Sequence, residues 1–481
     1  MALKETDKMD EWQVAAKRID AAFVAWLEKE GVEHEQLEWP CLSPYGERMA
    51  RTKTAMRAST PYMSVPESLM LTPSCAMTDV IVGPASRDLK IRGDTLLAVF
   101  ILNEARKGKH GKWYPYLRSL PLVKPNESNQ SLGDWDKEIQ ILLGDENLIV
   151  KAKQRRRWIV DLYERVIRRG LCAKYSEQFP LEWYTLERFE TSWQLVQSRA
   201  FGRRLKESAL VPLADALNHG DVETEYALVS GQFRLWPLND VAKGNEALNA
   251  YGSDTNNAKL LLDYGFALPQ NRFDSLSITV SLHENDPLLE AKRRILRTAG
   301  LGLFGIFTIK KDQNPAHPSS QLDALRIAVA SKQDIDLMQA ALGKDYCDKV
   351  HRSNSKLCCP DLNTSELFHV ARVIALRKLL TLLDEIITDS QSQLDAHNKR
   401  IISCEAELIA SAEPRRDRAS WFWEGTQDSL GPKTHLESSF MHRRIATERT
   451  LFALRYRTTR SAIAISAREH ILTALSELEG R

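Results

Sequence analysis

The residues of this sequence that could carry chemistry are concentrated between Trp193 and Phe266. Three short runs in that stretch set polar or phenolic side chains among apolar residues: Ser198–Arg203 (SRAFGR), Val211–His219 (VPLADALNH) and Glu246–Phe266, which ends in LLDYGF. An apolar environment changes both the pKa and the hydrogen-bonding strength of a polar group. The stretch is therefore the first candidate for a functional site.

Three tyrosines, Tyr226, Tyr251 and Tyr264, are the most suggestive groups there. A tyrosine hydroxyl has a reference pKa of about 10, so it stays protonated at neutral pH. It can orient an amine and accept a hydrogen bond without adding a full charge. Composition alone equally fits the more common alternative, in which the three rings are ordinary core aromatics.

His219 offers a second chemistry, because a histidine can act as a general base near neutral pH. A single histidine beside an asparagine, here Asn218, is more often a hydrogen-bonded structural residue. The sequence contains no GxSxG, HExxH or GxxxxGKS/T motif. An elbow serine, a zinc hydrolase and a P-loop therefore have no support, and no metal site is predicted.

The bulk composition indicates a soluble protein with more than one domain. The chain has 481 residues, more than one hydrophobic core usually holds, which predicts two domains. Its 66 basic and 64 acidic side chains nearly cancel, which argues against a protein built to neutralise nucleic-acid phosphates. No run of about 18 apolar residues is present, so no membrane span is predicted.

Two observations bear on the cellular compartment. Seven cysteines are scattered without CxxC spacing, which favours a reducing compartment over a disulfide-bonded or zinc-binding protein. The first ten residues are mixed in charge and have the character of neither a secretory signal nor a transit peptide. The prediction is a cytoplasmic or nuclear protein, with a plastid as the alternative if a transit peptide has been removed.

The hydrophobic pattern divides the chain into regions of different secondary structure. Apolar residues at helical intervals predict an amphipathic helix from Trp12 to Gly31. Scattered apolar residues and prolines up to Thr72 predict short strands and turns. Residues from about 95 to 205 are predominantly helical, and 211–266 return to strands, turns and one helix.

Two further segments have open interpretations. The run Lys151–Arg157 holds five cations in seven residues. It is interpreted as a solvated helix face, or as a nuclear-import signal or a contact for an acidic substrate. The aromatic triplet Trp421–Trp423 either packs back on its own domain or anchors a partner protein.

Taken together, the three runs resemble the SET-domain protein methyltransferases, in the branch typified by the Rubisco large-subunit lysine methyltransferase. The motifs SRAF, VPLADxxNH and YG…N…LLDYGF match that branch in identity, order and approximate spacing. Weaker matches extend to both flanks, at Val65–Leu69, Pro115–Pro121 and Ala467–Leu472. The resemblance thus covers nearly the whole chain.

The resemblance implies an α+β fold with two domains. Residues 1–280 would form an irregular β SET domain with an N-terminal helix, a helical insert at about 95–205 and a catalytic core at 193–266. Residues 281–481 would form an all-helical domain similar to the family's Rubisco-substrate-binding domain.

The resemblance also implies an activity, the transfer of a methyl group from S-adenosylmethionine to the side-chain amine of a lysine in a protein substrate. Tyr251 matches the tyrosine that aligns the amine with the methyl group, and would be the catalytic residue. Cofactor-binding positions are implied at Gly46, Glu47, Arg199, Asn218, His219, Tyr264, Gly265 and Phe266. Substrate-binding positions are implied at Phe201, Arg203, Asp215, Tyr226 and Tyr264. The implied partner is a protein that presents a lysine, with no direct nucleic acid and no membrane, and a monomer is expected.

Phe201 and Ala214 favour lysine over histidine as the substrate. The branch similar to the actin-histidine methyltransferase carries Asn and Trp at these two positions. A phenylalanine cannot form a hydrogen bond with an imidazole, so the site suits an aliphatic amine better.

Two departures from the family pattern leave a second interpretation open. The family's cofactor turn has a GxG arrangement, whereas the matching run Tyr45–Arg48 has a single glycine, and Arg48 cannot freely adopt positive φ. The spacing to the asparagines that follow the catalytic tyrosine is one residue longer than usual, so Asn256 and Asn257 both qualify for the family's asparagine. An altered turn would fit a catalytically silent SET-fold binding module, whereas the intact tyrosines favour an enzyme.

Overall fold

The chain forms two compact units, each with its own core. The computed structural model describes residues 17–122, 131–202, 204–252, 254–280, 282–301, 305–317, 319–342, 366–391, 393–411 and 435–479. The first unit comprises Met1–Ala267 and Arg400–Ala453, and the second comprises Leu268–Lys399 and Leu454–Arg481. The first change of unit lies near the predicted boundary at residue 280, and the return at residue 400 has no counterpart in the sequence analysis.

The first unit contains helix α1 and two small antiparallel sheets. Helix α1 covers residues 17–29 and is followed by Gly31, whose φ is 78°. Strands β1 and β2 form a hairpin, and strands β3, β4 and β5 form a sheet in the order β3–β5–β4. Their bounds are Leu37–Leu42, Arg48–Thr52, Met63–Pro66, Thr224–Val229 and Gln232–Pro237. Alternation in β5 places Phe233 and Leu235 in the core.

The predicted helical insert lies between β3 and β4. Its helices α2 to α8 span Pro73–Thr78, Val82–Asp88, Gly93–Arg106, Tyr114–Ser119, Lys137–Leu143, Glu146–Leu162 and Leu186–Arg199. Helix α4 is buried on every face from Leu96 to Ala105, as a helix at the centre of a core must be. The Ser192 hydroxyl of α8 donates to the Ala98 carbonyl at 2.7 Å, which fixes α8 beside α4. Helix α9 (Asn257–Tyr264) follows the second sheet.

The described residues of the second unit are helical apart from one hairpin. Strands β6 (Ser275–Val280) and β7 (Gly305–Lys310) pair antiparallel. Helices α10 to α15 span Leu289–Thr298, Ser320–Val329, Lys332–Leu342, Glu366–Gln391, Leu394–Ala410 and His435–Glu479. The last two helices each contribute residues to both units. The core of this unit includes Leu376, Leu379 and Leu383 of α13 with Ile463 and Ile471 of α15.

Among the described residues of the region predicted to be all-helical, one strand is present, β7. The strand begins at Gly305, the last residue of a GxGxxG pattern at residues 300–305 that comes after helix α10 in the sequence. A dinucleotide-binding loop follows a strand and opens a helix, so this run has the reverse order and does not indicate a nucleotide site.

The described part of the chain was predicted to contain neither a membrane span nor a metal site. No helix there is both long and apolar enough to cross a membrane. The same residues hold no group of three His, Cys, Asp or Glu side chains that could bind a metal ion. Arg203 and the triplet Trp421–Trp423 lie outside the described residues.

Candidate active site

The second and third runs are joined backbone to backbone. His219 forms a parallel bridge with Asn249. The Asn249 N–H donates to the Asn218 carbonyl at 2.9 Å, and the Gly220 N–H donates to the Asn249 carbonyl at 3.3 Å. Two segments that are 30 residues apart in sequence therefore lie side by side.

His219 is a structural acceptor in this arrangement. Its Nδ1 lies 3.2 Å from the backbone N of Tyr251, which donates to it, and 3.2 Å from the Asn249 carbonyl. The imidazole stacks on the Tyr251 ring with centroids 5.0 Å apart. Burial is the main cause of a lowered His219 pKa, so the ring is neutral at physiological pH. A neutral ring that accepts from Tyr251 N–H positions the tyrosine and is not free to serve as a base.

The Tyr251 hydroxyl is oriented by a hydrogen bond to the backbone. Its Oη donates to the Leu217 carbonyl at 2.8 Å, which leaves the oxygen lone pairs able to accept. Burial raises the pKa of Tyr251 to about 12, so the phenol stays protonated. The charged groups that influence this pKa are Arg199 on one side and three carboxylates on the other: Asp215, Glu47 and Glu246. An excess of negative charge therefore surrounds the phenol.

The rings of His219, Tyr264 and Phe266 pack around the Tyr251 ring and form an aromatic enclosure. The Tyr264 ring lies 4.7 Å from the Tyr251 ring, and the Phe266 ring lies 6.5 Å from it. The Tyr264 hydroxyl donates to the Tyr251 carbonyl at 3.4 Å, and burial raises its pKa. Gly265 ends helix α9 with a φ of 79°, a conformation that glycine adopts at little cost. This turn brings Tyr264 and Phe266 to the same enclosure.

A second aromatic group adjoins the first. Tyr226 on β4 lies 5.0 Å from Phe201 and 5.4 Å from Phe233, measured between ring centroids. Tyr226 is near enough to Tyr264 to raise its pKa. Phe201 itself is only 7% exposed, so it offers apolar surface and no hydrogen-bonding group.

Asn218 links the core of the site to the β1–β2 hairpin. Its Nδ2 donates to the Arg48 carbonyl at 3.1 Å and to Glu246 Oε1 at 2.8 Å. Burial raises the pKa of Glu246, and the nearby Glu47 carboxylate raises it further. Asn218 and Glu47 are thus at one edge of the enclosure that holds Tyr251.

The turn between β1 and β2 forms with its single glycine. Gly46 has a φ of 73°, and its N–H donates to the Ser43 carbonyl at 2.9 Å. Arg48 lies in strand β2 and has no positive φ. Its guanidinium donates to Asp20 Oδ1 at 2.6 Å and to the Ser119 carbonyl at 2.7 Å. The arginine therefore ties the hairpin to helices α1 and α5 in an ordinary extended conformation.

Asp215 is buried, and its side chain is engaged with Tyr116. The Tyr116 hydroxyl donates to Asp215 Oδ2 at 2.6 Å, and Arg199 Nη1 lies 3.9 Å from the same oxygen. Arg199 Nη1 also donates to the Asp215 carbonyl at 2.6 Å. Burial raises the pKa of Asp215 to about 6 despite Arg199. The sequence assigned Asp215 to the substrate, and in the structure its carboxylate lies against Tyr116 and Arg199.

The turn before Asp215 is backbone-strained. Leu213 is fully buried with a φ of 69°, which is rare for a residue with a Cβ atom. Such strain persists where surrounding contacts impose it, and it is common at functional sites. Sequence patterns do not identify Tyr116 as a partner of this turn, because Tyr116 and Asp215 are 99 positions apart.

The remaining predicted residues have separate placements. Asn256 is the N-cap of α9 and accepts from the Lys259 N–H at 2.9 Å, whereas Asn257 is fully buried. Within the basic run, Arg155 Nη1 donates to the Leu262 carbonyl at 2.9 Å and to Asp263 Oδ1 at 2.7 Å. Part of that run therefore holds helix α9 and is not a solvated face.

The chain is similar in sequence to known protein methyltransferases. No family model matches the chain. The chloroplastic Rubisco large subunit N-methyltransferase of Nicotiana tabacum is 26% identical over 70% of each chain. The chloroplastic fructose-bisphosphate aldolase-lysine N-methyltransferase of Arabidopsis thaliana is 25% identical over 70% of each. An actin-histidine N-methyltransferase of Drosophila melanogaster is 25% identical over 57% of this chain and 54% of its own length.

The fold is decided by a solved structure of Rubisco LSMT bound to AdoMet. It superposes with a TM-score of 0.65 at 18% identity, covering 96% of this chain and 93% of the other. The chain therefore has the SET-domain fold of LSMT. The predicted α+β fold, with strands, a helical insert and a helical C-terminal region, is confirmed.

Proposed function

We propose that this SET-domain protein is an S-adenosylmethionine-dependent protein-lysine N-methyltransferase. The observation that carries the proposal is the Tyr251 hydroxyl, which donates to the Leu217 carbonyl at 2.8 Å and keeps its lone pairs for an acceptor role. A neutral amine can donate an N–H to that oxygen and direct its own lone pair elsewhere. The relatives reported above are protein methyltransferases, of which one acts on lysine and one on histidine by name.

The charges around Tyr251 suit a cationic cofactor. Asp215, Glu47 and Glu246 outnumber Arg199 among the groups that act on the phenol. A sulfonium cation is stabilised in such surroundings, and a further anion would be repelled. When bound, S-adenosylmethionine supplies an electrophilic methyl group. Gly46, Glu47, Asn218 and His219 are the residues we propose to hold it.

The aromatic enclosure would prepare a lysine amine for attack. A lysine with a reference pKa near 10.4 must lose its proton, which costs about 4 kcal/mol at pH 7 to 7.5. Burial beside Tyr251, Tyr264 and Phe266 disfavours the charged ammonium and lowers that cost. Holding the amine in line with the methyl donor removes much of the remaining entropic barrier.

Lysine is favoured over histidine because of Phe201. The ring packs edge-on against Tyr226 and Phe233 and presents only carbon to the site. An imidazole would need a hydrogen-bonding partner to fix its orientation, and Phe201 offers none. Ala214, the other distinguishing position, is fully buried and leaves little polar surface.

The domain roles and the partner follow the family resemblance. We propose that residues 1–280 form the catalytic SET domain and that the helical region after them binds the protein substrate. We also propose that the enzyme is a monomer. The substrate is a protein that presents an accessible lysine. A cytoplasmic or nuclear location stays a prediction, with the plastid as its alternative.

Titration with S-adenosylmethionine tests the proposal directly. We expect calorimetric binding well below about 1 mM, a range that corresponds to at least about 4 kcal/mol of binding free energy. No binding near that concentration would favour a silent binding module instead. Arg48 lies in β2 without positive φ, so the single glycine of the turn does not favour that module.

A second experiment identifies the substrate. A cell extract treated with the protein and tritiated cofactor is separated, and the labelled protein is digested and sequenced by mass spectrometry. A methyl group on lysine is the expected result, and one on histidine would overturn the argument from Phe201.

A further inference from the structure

Residues from the C-terminal half of the chain pack directly against the β1–β2 turn. Helices α14 and α15 contribute Arg400–Ala453 to the first unit. Cys404, Leu408 and Leu451 form a small buried cluster, and Tyr45 of the turn packs on it. The turn that adjoins the proposed cofactor site is therefore supported by a segment about 400 residues away in sequence.

Arg444 makes the polar part of this contact. Its Nη2 donates to the Tyr45 carbonyl at 2.5 Å, and its Nη1 donates to the Ser411 carbonyl at 2.9 Å. Its Nε lies 3.2 Å from Glu448 Oε1. The arginine side chain is only 7% exposed, so its charge is balanced by buried acceptors and not by water. A planar guanidinium binds the three acceptors through three separate nitrogen atoms, whereas the donors of a lysine all lie on one nitrogen atom.

The Tyr45 carbonyl lies two residues before Glu47, whose charge acts on Tyr251. Gly46 follows Tyr45 with a φ of 73°, and Glu47 then acts electrostatically on Tyr251 and Glu246. The carbonyl of Arg48, the residue after Glu47, accepts a hydrogen bond from the Asn218 side chain. A movement of the Tyr45 peptide would therefore displace Glu47 and the Asn218 acceptor together.

We propose that Arg444 is a positioning residue for cofactor binding, acting through the Tyr45 carbonyl on the Ser43–Arg48 turn. This inference rests on the proposed function, since the turn is assigned to the cofactor. It implies that residues after position 400 help to build the cofactor site, although the SET motifs lie before residue 267. Arg444 itself contacts no reacting group.

The test compares the full-length variants Arg444→Met and Arg443→Met. Arg443 is the preceding residue of the same helix and is exposed, so it is a matched control. Hydrogen exchange of the Gly46 and Glu47 amides reports on the turn, because these amides donate to the Ser43 carbonyl and hydroxyl. We expect faster exchange of both amides in Arg444→Met and no change in Arg443→Met.

Cofactor affinity gives the second readout. In Arg444→Met we expect the Kd and KM for S-adenosylmethionine to rise about tenfold, with kcat at saturating cofactor and the KM for the protein substrate nearly unchanged. A uniform loss of all these parameters in a folded variant would indicate a general structural role and overturn the proposal. Unchanged amide exchange would overturn it as well.

A conservative variant covers the case in which Arg444→Met does not fold. Arg444→Lys keeps the buried charge and can reach one acceptor, so an intermediate rise in exchange and Kd is expected. Wild-type amide exchange and a wild-type Kd in Arg444→Lys would show that the guanidinium is not needed to position the Tyr45 carbonyl, and would overturn the proposal. If the wild-type protein failed to bind S-adenosylmethionine, the proposed function would fail, and the amide exchange would still decide whether Arg444 positions the turn.

Discussion

At the scale of single residues, different atoms of Tyr251 have the catalytic and the structural roles. Its backbone N–H is bound by His219, its ring lies between His219 and Tyr264, and its hydroxyl donates to Leu217. In the proposed reaction only the hydroxyl acts on the substrate. The contacts that hold the backbone and the ring in place do not involve the hydroxyl. The two contributions can therefore be separated by removing one oxygen atom.

Tyr251→Phe is expected to abolish methyl transfer, by at least about 100-fold in kcat, because the amine loses its acceptor. Cofactor affinity should stay within about threefold, since the ring and its His219 contacts remain. The unpaired Leu217 carbonyl should reduce stability by about 1 to 2 kcal/mol. Single-turnover kinetics and calorimetry measure the two effects, and an equal loss of both would make the tyrosine structural.

Asp215 provides a pH-dependent prediction at the same scale. Burial raises its pKa from 3.8 to about 6 in the folded protein. Because the folded state holds the proton more tightly, this contribution to stability is complete below pH 4 and is lost as the pH rises through 6. The difference corresponds to about 3 kcal/mol.

Asp215→Asn removes this titration, so the free energy of unfolding should fall less steeply between pH 4 and 6.5 than in the wild type. Urea unfolding at several pH values, followed by tryptophan fluorescence, measures the slope. Parallel curves for the two proteins would show that Asp215 ionises normally in the fold.

At the scale of elements, the β1–β2 hairpin is anchored by the residue that departs from the family pattern. Arg48 bonds Asp20 of α1 and the Ser119 carbonyl at the end of α5, and both partners are largely buried. The arginine thus acts through its side chain and requires no unusual backbone conformation. Arg48, which replaces the second glycine of the family's turn, therefore anchors the turn through its side chain.

Arg48→Met is expected to reduce stability by about 2 to 3 kcal/mol, because it leaves the Asp20 carboxylate unpaired in a largely buried position. Arg57→Met is the control, since the Arg57–Asp240 pair is mostly exposed. That control should change stability by at most about 0.5 kcal/mol. Equal effects in chemical denaturation would mean that the Arg48 tether is as weak as a surface ion pair.

At the scale of the whole molecule, local sequence patterns predicted some features well and could not reach others. The helical pattern that starts at about residue 95 predicted the helical insert, and the SET motifs led to the fold that the solved structure confirms. The Arg444–Tyr45 and Tyr116–Asp215 contacts join residues far apart in sequence, and neither changes any local periodicity. Strand β7 is six residues long, too short to outweigh the helical patterns around it.

The division into two units leads to a prediction that separates docking from chemistry. Leu379 of α13 is fully buried in the core of the second unit, which also includes residues of α11 and α15. Leu379→Ala should destabilise that unit by about 2 to 4 kcal/mol through the cavity it leaves. Ile374→Ala is the control on the same helix, because Ile374 is 40% exposed.

If the second unit docks the substrate protein, Leu379→Ala should raise the KM for that protein while the Kd for S-adenosylmethionine stays at the wild-type value. The proposed cofactor residues all lie in the first unit, which contains no part of α13. Assays just below the unfolding temperature of the variant, where the second unit is loosened, give the largest contrast. A rise in the cofactor Kd with an unchanged protein KM would assign the second unit to support of the cofactor site and not to docking.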